Sequence, residues 1–484
     1  MPQRNQFRKI AAVLVMLAAA VMLRAQDSAA PALPTMPLTA DELAAQRYLR
    51  SITIDLAKER ENDTWRIGGS QHNNLSKRYQ LAFSGYAAAA LGMRTPAYPA
   101  LTVAIMDDII QRMLKKDVWV YVKDYWGDKP WFPDPCYDEN IMYTGHLLQL
   151  LAFYELFSGD DKYRRDGFDF VWDDKTTIHY DVQKLIDVTV RQMRDNDSGG
   201  VSCEPDLIFF PCNNHPQIAL FIHEQFGLGN WQAERRRWEQ TALKSYANPL
   251  LGGGAIKLVY QRKYKLMLPR GHIGLDGWSL LWYQPWATNL DDARRLWRES
   301  VKCIQWDNFS NETEDVCRGK ATCMDPANVP PTATASFMAA AARALGDDAT
   351  ATRFETFLDR YLRRDNDMFY LDLDREWRIG CSANRITALA IRNGSDFRTL
   401  LRTRQLPNRG PHIAELTPAG IAVAEAVFAD GVLRIGLVGK GPATLRLAGI
   451  STPPKALTPA AASFADNTIT IPHINGQCTI TVAF

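Results

Sequence analysis

The chain has 484 residues, 46% of them hydrophobic and 23% charged, which is enough apolar side chain for a large core and for two or three domains. Basic and acidic residues nearly balance at a net charge of +2. There is no basic stripe, Gly-rich phosphate loop or zinc-ribbon spacing, so nucleic-acid and nucleotide binding find no support.

The chain opens with Arg4, Arg8 and Lys9, then the apolar run Ile10 to Leu23, then Arg24-Ala25. That order of charge, apolar run and small residue predicts a secretory signal over residues 1–25. The run is short for a bilayer, so membrane contact is expected only if the segment is not cleaved. Residues 26–38, rich in Pro and Ala, read as a linker. A periplasmic or secreted location follows, and an oxidising compartment permits disulfides among the eight cysteines. Cys303, Cys317 and Cys323 sit in a polar loop suited to them, whereas Cys136, Cys381 and Cys478 have no obvious partner.

From residue 39 to about 410 the apolar residues recur at helical spacing, between Gly, Pro and Asp punctuation. Thr39-Ala40-Asp41-Glu42 is a capping-box start. Further helices are predicted at about 75–92, 97–114, 138–157, 180–194, 213–226, 231–246, 290–302, 332–345 and 348–363, with two or three more. About a dozen helices without alternating strands predict paired helices closed into a ring, an (α/α)6 toroid. Residues 411–484 change to short alternating stretches such as Val432–Val438, Ala443–Leu447 and Thr468–Ile471, which predict a small β-sandwich-like domain.

Three segments carry candidate chemistry. Cys203 to Gln217 (C-E-P-D-L-I-F-F-P-C-N-N-H-P-Q) sets two cysteines nine positions apart, as a redox staple, half a zinc site with His146 or His215, or an acid/base pair. In D-E-N-I-M-Y-T-G-H-L, His146 follows Met142 on one apolar helix face, where a satisfied core histidine is the bland alternative. In R-Y-Q-L-A-F, Tyr79 reads by pattern as a core aromatic. Asn213 is expected to cap the helix that follows it. The aromatic stretch Val118–Pro135 suits a lid, a sugar-stacking platform or a plug between helices.

Together these segments resemble the linalool dehydratase/isomerase family, over about residues 42–358. The resemblance implies a helical toroid, a ring-shaped homo-oligomer and cofactor-independent chemistry on a small terpenoid alcohol or alkene. It also implies free Cys203 and Cys212 thiols acting on an allylic alcohol, His146 hydrogen-bonding the substrate hydroxyl, Tyr79 as a phenol donor, and Met142 and Phe209 as pocket walls. Glu204 flanks the first thiol and can tune it. The family's aspartate has a counterpart in Asp55, although the tyrosine that accompanies it is absent between Asp55 and Tyr79.

Thiols suit the implied reaction. At neutral pH a thiol is mostly protonated and can donate to a leaving hydroxyl, while a thiolate takes a proton from carbon. The expected function is thus a hydro-lyase/isomerase on a linalool-, geraniol- or myrcene-like molecule. The rivals are a glycoside hydrolase or polysaccharide lyase, drawing acids from Asp55, Glu204, Asp206 and Asp276, and a non-catalytic binder of hydrophobic small molecules.

Overall fold

The computed structural model describes residues 36–60, 64–65, 77–127, 129–309, 331–372, 378–403 and 410–484. The predicted signal segment, almost all of the linker, Cys317 and Cys323 lie outside the described residues.

Twelve helices of ten residues or more run among the described residues: α1 (Ala40–Ser51), α2 (Lys77–Gly92), α3 (Pro99–Met113), α4 (Ile141–Ser158), α5 (Val182–Asp195), α6 (Phe210–Gln225), α7 (Gln232–Thr241), α8 (Ile273–Tyr283), α9 (Leu290–Lys302), α10 (Pro331–Leu345), α11 (Asp348–Asp359) and α12 (Arg378–Arg392). They alternate in character along the chain. The odd-numbered helices mostly bury a stripe, as α9 does with Ala293, Leu296, Trp297 and Ser300. The even-numbered ones are buried almost all round, α4 from Ile141 to Phe157 and α8 over its whole length. A helix apolar on every side has to be surrounded by protein. Accordingly α2, α4, α6, α8, α10 and α12 each pack on the next, and α12 returns to pack on α2.

The α1 start is the predicted capping box, with Thr39 and Glu42 bonded reciprocally. Glu42 is also the buried partner of Arg94, at 2.9 Å, which ties α1 to the end of α2. Two inner helices were not among those placed from the sequence, α8 and α12. Glycines at 274 and 277 and the absence of a polar face hide α8, while α12 buries Ser382, Asn384, Arg385 and Thr387 on what looks like a solvent side. Short strands decorate the loops: β1 (Phe168–Asp173) pairs with β2 (Thr176–Tyr180), and β3 (Leu207–Phe209) pairs with β4 (Val259–Gln261), which pairs with β5 (Leu266–Met267).

The C-terminal region is all antiparallel strand: β6 (His412–Thr417), β7 (Ala422–Ala429), β8 (Val432–Ala448), β9 (Ala456–Thr458), β10 (Ser463–Ala465) and β11 (Thr468–Ala483). The stretches predicted separately at 432–438 and 443–447 are one long strand. β8 pairs with β11 along its length, with an irregularity at Gly441/Ala443. On its other edge β8 takes β7 along its first half and β6 along its second. Ile413, Leu433, Ile435, Leu445, Ile469 and Ile480 fill the core between. Ala97 and Tyr98, just past α2, join that core, and the Ala97 amide donates to the Ala426 carbonyl at 2.9 Å. The β domain therefore meets the C-terminal end of α2. Arg78 and Tyr79 lie at the other end, about 20 Å away at 1.5 Å per residue.

Candidate active site

The two cysteines reach each other from different elements. Cys203 opens a tight turn in which its amide donates to the Leu207 carbonyl at 2.7 Å and the Leu207 amide to the Glu204 carbonyl at 2.9 Å. Asp206 closes the turn at a left-handed φ of 63°. Buried Glu139 grips it: its Oε1 accepts from the Asp206 amide at 3.1 Å and from Arg262 Nη2 at 2.5 Å, while Arg262 Nε donates to Asp206 Oδ1 at 3.1 Å. Cys212 is the third residue of α6. Pro211 before it lacks an amide hydrogen where helices leave that donor unused.

Asn213 does not cap α6. Its Oδ1 accepts from the Val201 amide at 2.7 Å and its Nδ2 donates to the Val201 carbonyl at 2.9 Å, clamping the segment that leads into Cys203 onto the helix that carries Cys212. Both thiols are free, and Cys212 is near enough to act on the ionisation of Cys203. Both are buried, at 1% and 4% exposure, so neither is a surface thiol. Burial, and then the neighbouring Cys212, push the Cys203 thiol well up; the Phe209 amide, aimed at Cys203, works weakly the other way.

Tyr79, on α2, brings its hydroxyl to 3.8 Å from Cys212 Sγ. Its ring meets His146 edge-on at 5.2 Å and Trp278 at 4.9 Å. Burial raises its ionisation well above the phenol range, so it is a neutral hydroxyl. Met142, one turn before His146 on α4, receives Arg78 Nη2 on its sulfur at 2.8 Å.

His146 is buried and its Nδ1 lies 2.9 Å from the Tyr86 hydroxyl. With the Tyr86 hydroxyl donating to Nδ1, the ring proton of His146 sits on Nε2. That Nε2 is buried with no protein partner, a donor waiting for an oxygen. His215 lies tilted against His146, ring centroids 3.7 Å apart, and is locked neutral: Trp278 Nε1 donates to its Nε2 at 3.1 Å, so its Nδ1 donates to Gln149 Oε1 at 2.6 Å. Burial, then His215, then Arg78 hold the His146 ring well below its usual range.

The close approach of α4 and α6 depends on Gly145. A Cβ there would stand 2.9 Å from Pro216 Cδ and 3.4 Å from the Cys212 carbonyl. Pro216 cannot donate to that carbonyl, which lies four residues before it in α6.

The structure thus gathers Cys203, Cys212, Tyr79, His146 and Met142, with Glu204 and Phe209 on the flanks of the Cys203 turn. Asp55 is not joined to them. Its carboxylate is 49% exposed and forms a two-pronged pair with Arg50, at 2.6 and 3.1 Å, five residues back in the chain. No cluster of three or more metal-ligating groups occurs among the described residues. In Val118–Pro135, Trp119, Tyr121 and Trp126 are buried against the helices, as a plug requires. Sequence reasoning passed over Arg78, Tyr86 and Trp278 and took His215 only as a metal ligand. Arg78 stood inside the quoted R-Y-Q-L-A-F, but an arginine at a helix start is ordinarily solvated.

Among solved structures the chain is similar to an unsaturated glucuronyl hydrolase specific for heparin, at 11% identity over 73% of this chain and 97% of that one, TM-score 0.44. It is also similar to an α-1,6-mannanase of Salegentibacter sp., at 12% identity over 75% and 98%, TM-score 0.41. These distant likenesses carry no chemistry. The family model for linalool dehydratase/isomerase matches residues 78–376, more than half of the chain, spanning Tyr79, Met142, His146 and both thiols but not Asp55. With that match laid over the buried thiol pair, the chain belongs to the linalool dehydratase/isomerase family.

Proposed function

We propose that this protein is a cofactor-independent hydro-lyase/isomerase that takes an alkenol of the linalool or geraniol kind to a diene and water, and back, on an (α/α)6 toroid. The observation that carries the reading is the meeting of two free, buried thiols with a neutral phenol 3.8 Å from Cys212 Sγ and a buried, unpartnered His146 Nε2.

His146 Nε2–H holds the substrate oxygen. One sulfur gives its proton to the hydroxyl as the C–O bond breaks, and the electron pair leaves with water. The other sulfur, as thiolate, takes a proton from the carbon next to the reacting centre, and that C–H pair becomes the new double bond. Thiol and thiolate have then exchanged roles, and proton transfer between the two neighbouring sulfurs restores the starting state. Return of water at the other end of the allylic system gives the isomer.

The hydrolase alternative loses most of its acids. Asp55 is spent on Arg50 and Asp206 on Arg262, while Asp276 accepts the Ala255 and Ile256 amides and the Ser300 hydroxyl. The test is anaerobic incubation of reduced protein with linalool, geraniol and myrcene, beside Cys203→Ala and Cys212→Ala. Turnover lost in both variants is expected; turnover that survives either one removes the thiol mechanism.

A further inference from the structure

Arg78 is one of two arginines among the largest fully buried side chains, and the contrast between them is informative. Arg94 is neutralised by Glu42 at 2.9 Å. Arg78 has no carboxylate partner among the described residues. Its Nη2 goes to the Met142 sulfur, its Nε and Nη1 have no partner, and its guanidinium lies over the rings of Tyr79 at 4.0 Å and Tyr121 at 4.9 Å. A desolvated cation with a thioether and two ring faces for company is costly unless a negative charge accompanies it.

We propose that Arg78 is the counter-cation of the site, and that the charge it holds is a thiolate of the Cys203–Cys212 pair, seated on the Cys212 sulfur. Among the acidic groups that act on Arg78 are Tyr79, Tyr121 and Cys212. Both phenols are kept neutral by burial, and Tyr121 donates its proton to Asn140 Oδ1 at 2.7 Å. Cys203 faces Glu204 as well as Cys212, and both disfavour its ionisation. His146, from α4, is neutral and adds no charge. The Tyr79 ring under Arg78 ends in a hydroxyl 3.8 Å from Cys212 Sγ, and Cys212 also sits in the first turn of α6, where the helix end favours a negative sulfur.

The consequence for the proposed elimination is that the pair rests as one thiol and one thiolate, the combination the proton bookkeeping requires. A fixed cation at the pocket also opposes a free allylic cation, so C–O cleavage and C–H removal proceed together. This use of the charge rests on the thiol reading above, but the charge itself is measured without any substrate.

The test is a thiolate absorbance titration at about 240 nm on reduced, anaerobic protein, taken as the difference from Cys203→Ala/Cys212→Ala. One thiolate equivalent at neutral pH is expected in the native protein and in Arg78→Lys. Arg78→Met is expected to move the midpoint up by about one to three pH units. An unmoved midpoint in a folded Arg78→Met overturns the proposal. Should that variant fail to fold, the native difference decides, since no thiolate at neutral pH overturns it equally. An absent thiolate alongside alkenol turnover sinks the Arg78 role alone, and a thiolate without turnover sinks the alkenol reading alone.

Discussion

Gly145→Ala adds one methyl at the seam on which the site depends. The new Cβ would lie 2.9 Å from Pro216 Cδ, 3.3 Å from Ile141 Cγ1 and 3.4 Å from the Cys212 carbonyl oxygen. The proline ring belongs to the α6 backbone and cannot swing away as a flexible side-chain end would. Restoring an ordinary carbon–carbon contact of about 3.5–4.0 Å separates α4 from α6 by about 0.6–1 Å at this level. Overpacking of this kind costs about 1–3 kcal/mol, while alanine gains about 1 kcal/mol over glycine within a helix. The net loss is about 0–2 kcal/mol, a shift of a few degrees in Tm.

Catalysis is affected more than stability, because His146 is the next residue and moves with α4 while Cys212 stays with α6. A misplacement near 1 Å costs about a hundredfold in kcat/KM. The assay is turnover of whichever alkenol the native enzyme takes, with a thermal melt on the same sample. A variant within about threefold of native turnover would refute the idea that this contact sets the spacing of imidazole and thiol.

Three further outcomes are expected. His146, His215 and His223 are all held down by burial, His223 to about 3, so their contribution to stability is present above the unfolded value near 6.5 and is lost as pH falls below it. At pH 5.5 the His223 share costs about 1.4 kcal/mol. Asp276, pushed up to about 7 by burial, works in the opposite sense, its share being fullest at low pH and lost as pH rises through 7. The histidine effect is therefore read as a difference: the urea-midpoint loss between pH 7.5 and 5.5 should shrink by that amount in His223→Gln, and an unchanged loss contradicts it. Arg262→Ala removes the hold on Asp206 and one of the partners of Glu139. Arg262 is half-exposed, so turnover should fall at least tenfold, about 1.4 kcal/mol, with little change in Tm; equal loss of both would make the role merely structural. Asp55→Asn breaks a half-exposed ion pair worth under about 1 kcal/mol and should leave turnover intact, so a tenfold fall, about 1.4 kcal/mol, would return Asp55 to the site.

Much of the fold was legible because helix and strand patterns are local. The Thr39 capping box, the outer helices with their apolar stripes and the strand texture after residue 411 all follow from residues a few positions apart. The inner helices α8 and α12 were not placed, because a helix surrounded by protein loses the polar face that marks it. The candidate site divided in the same way. Cys203, Cys212, Met142, His146 and Tyr79 came from short motifs, whereas Asp55 was carried on position along the chain and the structure leaves it paired at the surface.

What the sequence determined by itself was a mainly helical protein with a β tail and a thiol-bearing turn of a recognisable family. Only the tertiary structure decided that Asn213 clamps the two cysteine segments together, that His215 fixes the surroundings of His146, and that Arg78 is buried with no carboxylate partner among the described residues. The physical reason is that hydrogen bonding and charge compensation are settled between groups remote in sequence, 12 residues apart for Asn213 and Val201 and 64 for Arg78 and Met142. Local periodicity says which face of a helix is covered, and it is silent on which atoms do the covering.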